Sequence, residues 1–191
     1  IAPVVQHFVN DQGRGAAWRP GLALIYADIG ELGKARAEFD LLSDEQFGAI
    51  PRDSLWQTSL TYLAETCCAI NAITDAEVLY ELLLPYRDLA VVVGNASVCL
   101  GASARYLGQL ASVLSRWDEA EAHFQRAMEV DSRMSAVTWL AHTQYWYGRM
   151  LLGRGRPEDV ELATTLVDAA ASTAARVGLR GLQLQMRSAD G

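Results

Sequence analysis

One spacing recurs along this 191-residue chain and restricts the folds open to it. In Trp117-Asp-Glu-Ala-Glu-Ala-His-Phe-Gln-Arg-Ala127, a small residue (Ala120), a large one (Phe124) and a small one (Ala127) share one helical face. Ala35, Phe39 and Leu42 hold the same places, as do Ala76, Tyr80 and Leu83, and a degraded copy runs through Ala163, Val167 and Ala170. A small–large–small face lets one helix nest closely against another. Its return at a nearly constant interval is the signature of an array of helical repeats. In the first three copies a second small residue precedes the leading alanine by the same distance: Ala23, Ala64 and Gly108, each following a leucine, Leu22, Leu63 or Leu107. These mark a partner helix; in the second copy Leu60, Leu63, Ala64, Cys67 and Ile70 complete its apolar stripe.

The expected fold is therefore all-α: an αα-superhelix of four helix pairs over 16–42, 54–86, 100–130 and 135–177. No segment shows the sustained apolar–polar alternation of a half-buried strand. Gly30 and Gly33 flank the first turn between paired helices. Asp75 and Asp118 put acid in the first turn of a second helix, where the helix dipole favours it, and Pro157 suits the start of another. Residues 1–15 read as the remnant of a preceding repeat and 181–191 as a flexible tail. Ser43 is expected to cap a short turn over Ser43-Asp-Glu-Gln-Phe47. The connections between pairs are long, and apolar Val91-Val-Val-Gly-Asn-Ala-Ser-Val-Cys99 is expected to be a loop that packs back on the helices.

Composition removes several functions. The formal net charge of −7 disfavours nucleic acid and anionic membrane as partners. No run approaches the roughly 18 apolar residues of a membrane span. The 51% hydrophobic content supplies an ample core. Three cysteines, Cys67, Cys68 and Cys99, do not form a disulfide framework, which points to a reducing cytoplasm. His7, His123 and His142 are scattered and no Cys/His cluster has zinc spacing, so neither metal nor cofactor is expected. No serine sits in a nucleophile-elbow pattern, and Lys34, the only lysine, is not in a phosphate-binding Gly-x-x-x-x-Gly-Lys-Ser/Thr loop. Glu119 and Glu121 read as a solvated helix face. Beginning at Ile1 and carrying no leader signature, the chain reads as a piece of a longer protein.

Leu107-Gly108, Ala111, Trp117-Asp-Glu-Ala-Glu-Ala-His-Phe124 and Ala127 resemble a tetratricopeptide repeat with Ser115 where glycine is usual. The repeat proper is about 34 residues, and the surplus here lies between pairs. More narrowly, Trp18–Asp28, Leu79-Tyr-Glu-Leu-Leu-Leu-Pro-Tyr86, Val91-Val-Val-Gly94 with Cys99-Leu-Gly101, and Tyr106–Ala127 together resemble the C-terminal helical region of large bacterial signalling ATPases. That group includes adenylate/guanylate cyclase-linked ATPases and LuxR-type regulators similar to the maltose activator. The resemblance implies a non-catalytic interaction or sensor module for a protein or peptide partner, including other domains of a parent chain. A stand-alone peptide-binding adaptor is the alternative. Exposed terminal repeats favour a homodimer.

In such an array the first helices line the inner surface. The repeat register turns Thr61, Tyr62 and Glu65 inward from the second pair, Arg105, Tyr106 and Gln109 from the third, and His142, Tyr145, Trp146 and Arg149 from the fourth. Aromatic and arginine side chains concentrate interface energy, so this set could hold a peptide, or a small anion near Arg105 and Arg149. Two readings stay open: a binding groove, or a tight solenoid whose tyrosines plug its inside and whose arginines pair with Glu65. Chemistry would need His142, Tyr145 and Arg149 to converge. Cys68 is expected one step round from the core, toward the groove, and the tryptophans are expected in core or seams.

Overall fold

A computed structural model describes residues 15–94 and 96–189 of the chain. The expected remnant helix over 1–15 lies almost wholly outside these residues. The described residues form nine α-helices, three short 3₁₀ turns and one two-stranded sheet. The helices are α1 (Gly15–Asp28), α2 (Leu32–Ser43), α3 (Trp56–Ala69), α4 (Ile73–Leu83), α5 (Ser103–Val113), α6 (Trp117–Arg133), α7 (Val137–Arg154), α8 (Val160–Val177) and α9 (Arg180–Ala189). The strands β1 (Ala90–Val93) and β2 (Val98–Ala102) lie between α4 and α5 and pair antiparallel. Among the described residues no helix is long and apolar enough to cross a membrane.

Helices pack as α1/α2, α3/α4, α5/α6 and α7/α8, and α1, α3, α5 and α7 also touch in succession. The recurrent skeleton supplies the contact. Ala35, Phe39, Leu42, Ala76, Tyr80, Leu83, Ala120, Phe124 and Ala127 are all buried. In the degraded copy Ala163 and Ala170 are buried, Val167 is half-buried and its neighbour Leu166 is buried. A Cβ on Gly108 would lie 2.9 Å from the Phe124 ring. One on Gly148 would lie 2.7 Å from Val167. The small residue of the first helix is thus the socket for the large residue of the second.

The same turn closes several helices. Gly30, Asn71, Ser115 and Ser135 all take left-handed φ, between 52° and 80°. The next residue's N–H returns to a carbonyl five residues back: Glu31 to Tyr26 at 2.9 Å, Ala72 to Cys67 at 3.0 Å, Arg116 to Ala111 at 2.8 Å and Ala136 to Asp131 at 2.9 Å. This satisfies carbonyls that the helix end would leave bare. Ser115 therefore performs a glycine's backbone task.

Three expectations need correction. The stretch expected to be a loop, Val91–Cys99, is most of a β-hairpin, with Val92 facing Cys99 and Val93 facing Val98. Its valines favour extended backbone, and Val91 is fully buried against the helices. Strand alternation was too short to register over four residues. The expected tail, 181–191, is helical through 189; Leu182 is buried beside Ala141, Tyr145, Ala170 and Ala174, which gives that helix an anchor. Ser43 caps nothing: its hydroxyl donates back to the Asp40 carbonyl at 3.3 Å, and the turn after it runs through left-handed Glu45, Gln46 and Phe47. Burial of Phe47 against Phe39, with ring centroids 5.6 Å apart, accompanies this otherwise disfavoured backbone.

Glu119 and Glu121 also depart from a simple solvated face. Tyr80 donates to Glu119 at 2.8 Å, joining α4 to α6. Glu121 accepts from Tyr147 at 2.8 Å and from Arg154 at 2.7 Å, and Arg154 grips Asp159 with two further bonds at 2.7 and 2.8 Å. The Arg154 guanidinium lowers the pKa of both carboxyl groups. Depressed carboxyl pKa values contribute stability that is present above the ordinary carboxylate range and lost as pH falls through the lowered values. Arg154→Ala is therefore expected to cost about 1–2 kcal/mol at pH 7, a rim network being worth less than an interior one. The gap from the parent protein should narrow only as pH falls through the lowered values, below the ordinary 3.8 of Asp159, where the parent loses its carboxylates too. Urea titrations at pH 7 and about pH 2 check this; equal gaps at the two pH values would refute the network's role.

Candidate functional site

The inner faces of α1, α3, α5 and α7 enclose two chambers that share Leu24, Asp28, Glu65 and Gln185 as walls. The first, about 370 Å³, adds Tyr62, Tyr106, Trp139 and His142. The second, about 310 Å³, adds Tyr145, Trp146 and Arg149. Helix α9 closes one side through Leu182, Leu184 and Gln185. Tyr145 donates to the Gln185 carbonyl at 3.4 Å, which holds α9 to this face.

The register-predicted residues divide. Tyr62, Glu65 and His142 are half-buried in the first chamber. Tyr106 lines it too, but is buried and packs as a wall. Thr61, expected to face the groove, is wholly buried and donates to the Thr58 carbonyl at 2.8 Å. Gln109 turns the other way, into a separate cavity of about 240 Å³ beside Cys68, Phe124 and Trp146. Its buried amide oxygen and nitrogen have no partner among the described residues. Trp146 and Arg149 border both this cavity and the second chamber.

Arg105 corrects the anion reading. It is fully buried. Its Nη2 donates to the Leu100 carbonyl at 2.9 Å and to the Tyr106 hydroxyl, while Nε and Nη1 have no hydrogen-bond partner among the described residues. It also stacks on the Tyr106 and Trp139 rings, at 4.4 and 5.0 Å from their centroids. Glu65 stands 3.8 Å away, a long ion pair. Arg149 is exposed in the second chamber. The two arginines do not converge on one anion. Of the two, Arg105 pairs with Glu65; Tyr106 and Tyr145 are buried, Tyr62 is half-buried and Arg149 is exposed.

His142 lines the first chamber, whereas Tyr145 and Arg149 line the second. Burial and the nearby Arg105 charge push His142 down to about 3, so its imidazole is neutral at pH 7. Burial pushes the Cys67 thiol up to about 12 and raises Cys68 well above the ordinary thiol range, so neither is a thiolate at neutral pH. Among the described residues no group of three or more His, Cys, Asp or Glu is placed to hold a metal ion.

Carboxylates dominate the chamber's charge. Loss of water in the concave wall raises Asp28 although its side chain reaches solvent. Glu65 is raised by burial first; Arg105 opposes this and Asp28 reinforces it. Two residues missed by the sequence reasoning complete the site. Asp28 lies at the end of α1, one turn beyond Leu24, and Leu24 sits where the register puts a groove residue. Trp139 lies one turn before His142, their rings 5.4 Å apart, and its indole N–H donates to the Cys99 carbonyl of the hairpin at 2.8 Å. Only the hairpin's position reveals that role. Comparison of the chain with protein-family models, with curated proteins and with solved structures found no match.

Proposed function

We propose that this chain is a non-catalytic protein–protein interaction and sensor module of a larger bacterial signalling or transcription regulator, built as a tetratricopeptide-like superhelix and working in the cytoplasm. The observation that carries the reading is the row of first helices α1, α3, α5 and α7, whose facing sides leave an aromatic and acidic groove. The recurrent left-handed turn and the buried small–large–small skeleton support the repeat architecture. The groove's size and its mixture of rings and charged groups suit a peptide segment or a small ligand. The partition of His142 from Tyr145 and Arg149 fits binding better than chemistry.

The test is selection of binders from a charge-unbiased displayed peptide library, followed by affinity measurement on Tyr62→Ala, Glu65→Ala and Arg149→Ala variants. At least one of the three is expected to weaken selected peptides by about 10-fold or more, as a contact residue at an interface does. A library without binders, or binders indifferent to all three changes, would overturn the proposal.

A further inference from the structure

We propose that the first chamber is a site for an organic cation, a primary ammonium or guanidinium group on an aliphatic stem, held between the Asp28 and Glu65 carboxylates and the Tyr62, Trp139 and His142 rings. This rests on the groove being a binding surface, as argued above, and adds the chemistry of what enters it.

Four observations lead there. Asp28 and Glu65 wall the same cavity, and Asp28 has no ion pair or hydrogen bond to the described residues. Arg105 stays 3.8 Å from Glu65, beyond hydrogen-bond distance, with its Nη2 held by the Leu100 carbonyl and the Tyr106 hydroxyl. Both carboxyl groups are raised from their ordinary values, the condition of carboxylates short of positive charge in a partly dehydrated wall. The remaining wall sets the rings of Tyr62, Tyr106, Trp139 and His142 among leucines, and ring faces attract cations. His142, being neutral, adds a ring without adding repulsion.

The geometry also selects among cations. Two carboxylates and the Tyr62 hydroxyl reward a ligand with several N–H donors, which an ammonium or guanidinium has and a quaternary ammonium lacks. With two nearby carboxylates as its acidic ligands and no cluster of three or more metal-binding side chains, the chamber is poorly equipped for a bare divalent ion. A volume of about 370 Å³ accommodates a short stem with its head group. Such a head group occurs on free diamines and on the lysine or arginine side chains of a peptide.

Titration of the whole chain with butane-1,4-diamine and with N-acetyl-arginine amide, followed by calorimetry, tests this. N-acetyl-leucine amide and N-acetyl-glutamate are the neutral and anionic controls. Saturable binding of a cationic probe below about 10 mM is expected, with no binding of the controls. Asp28→Asn and Glu65→Gln should each weaken it about 5- to 10-fold, as loss of one charge-assisted contact does, while Asp118→Asn, on an exposed residue away from the chamber, should not. Asp28 makes no bond within the described fold, so its variant separates ligand contact from folding. Tighter binding of the diamine identifies a free small amine as the source; tighter binding of the arginine amide identifies a peptide side chain. Absence of cation binding, or binding unchanged by both variants, overturns the proposal. If library peptides without basic residues bind through Tyr62 in that case, the groove reading stands and the cation assignment alone fails; if no peptide binds either, both fall.

Discussion

Replacing Gly101 by alanine is expected to destabilise the protein by about 3 kcal/mol, the sum of a left-handed backbone penalty and an overpacked contact. Gly101, next to last in β2, has a φ of +81°, a region that costs residues with a Cβ about 1–2 kcal/mol. The added Cβ would lie 2.6 Å from the Trp139 Cβ and 2.8 Å from its Cγ, with the Asp131 carboxylate oxygen at 3.1 Å. None of these is the free end of a flexible chain. Trp139 is pinned by its bond to the Cys99 carbonyl, and Asp131 by two bonds. Something must shift, and the hairpin and α7 are the elements that would separate. A loss of that size should lower Tm by roughly 6–12 °C in a chain of this length. Gly153, also in α7, is the control. Nothing lies within 4 Å of its added Cβ, so Gly153→Ala should be neutral or gain up to about 1 kcal/mol in helix propensity. Urea denaturation of both variants checks the pair, and a Gly101→Ala loss under about 1 kcal/mol would contradict the packing. Because Trp139 walls the first chamber, Gly101→Ala should also weaken a cationic probe, by displacing Trp139.

Asp131→Ala should cost a similar amount, about 3 kcal/mol, by a different route. Asp131 is fully buried. One carboxylate oxygen accepts from the Ala102 N–H at 2.9 Å and the other from the Thr143 hydroxyl at 2.8 Å. It thus ties the hairpin and the start of α5 to α7 from a position in α6. Alanine would leave a buried N–H and a buried hydroxyl without their acceptors, at about 1–3 kcal/mol each before relaxation. Asparagine keeps the shape and one acceptor, and its amide can donate to the Thr143 oxygen, so Asp131→Asn should lose under about 1 kcal/mol. The sign of the pH dependence distinguishes the two roles. Burial raises the Asp131 pKa, against the pull of Thr143, Arg105 and Ala102. A carboxyl raised on folding contributes most below its ordinary value near 3.8 and loses that contribution as pH rises through the folded value. Asp131→Asn should therefore gain on the parent protein between about pH 4 and pH 7. A constant difference across that window would show that Asp131 is not held in the dehydrated state described here.

These two residues show where reading the chain stops. The face of Ala120, Phe124 and Ala127 was legible because neighbours on a helix are three and four residues apart, so the pattern that packs is also a pattern in sequence. Tyr62, Glu65 and His142 were legible for the same reason, since the register of one helix carries over to the next. Asp131 gave no sign of its importance: its partners Ala102 and Thr143 belong to other elements, and an aspartate on an amphipathic helix ordinarily faces water. Gly101 stood out as a glycine, but its need for glycine comes from Trp139, 38 positions on. Arg105 was placed on the correct face and misjudged, because whether an inward arginine meets ligand or is buried depends on neighbours such as Leu100, Tyr106 and Trp139.

By itself the sequence determined the helices of the four pairs and the small–large–small faces that join them, because periodicity and helix nesting depend on residues within one or two turns of each other. The tertiary structure alone decided that 90–102 forms a hairpin, that 180–189 folds back as a helix against the fourth pair, and that Asp28, Glu65 and Trp139 share one wall. Those outcomes rest on contacts between distant segments, where burial and hydrogen-bond satisfaction override local preference and leave no periodic mark in the chain.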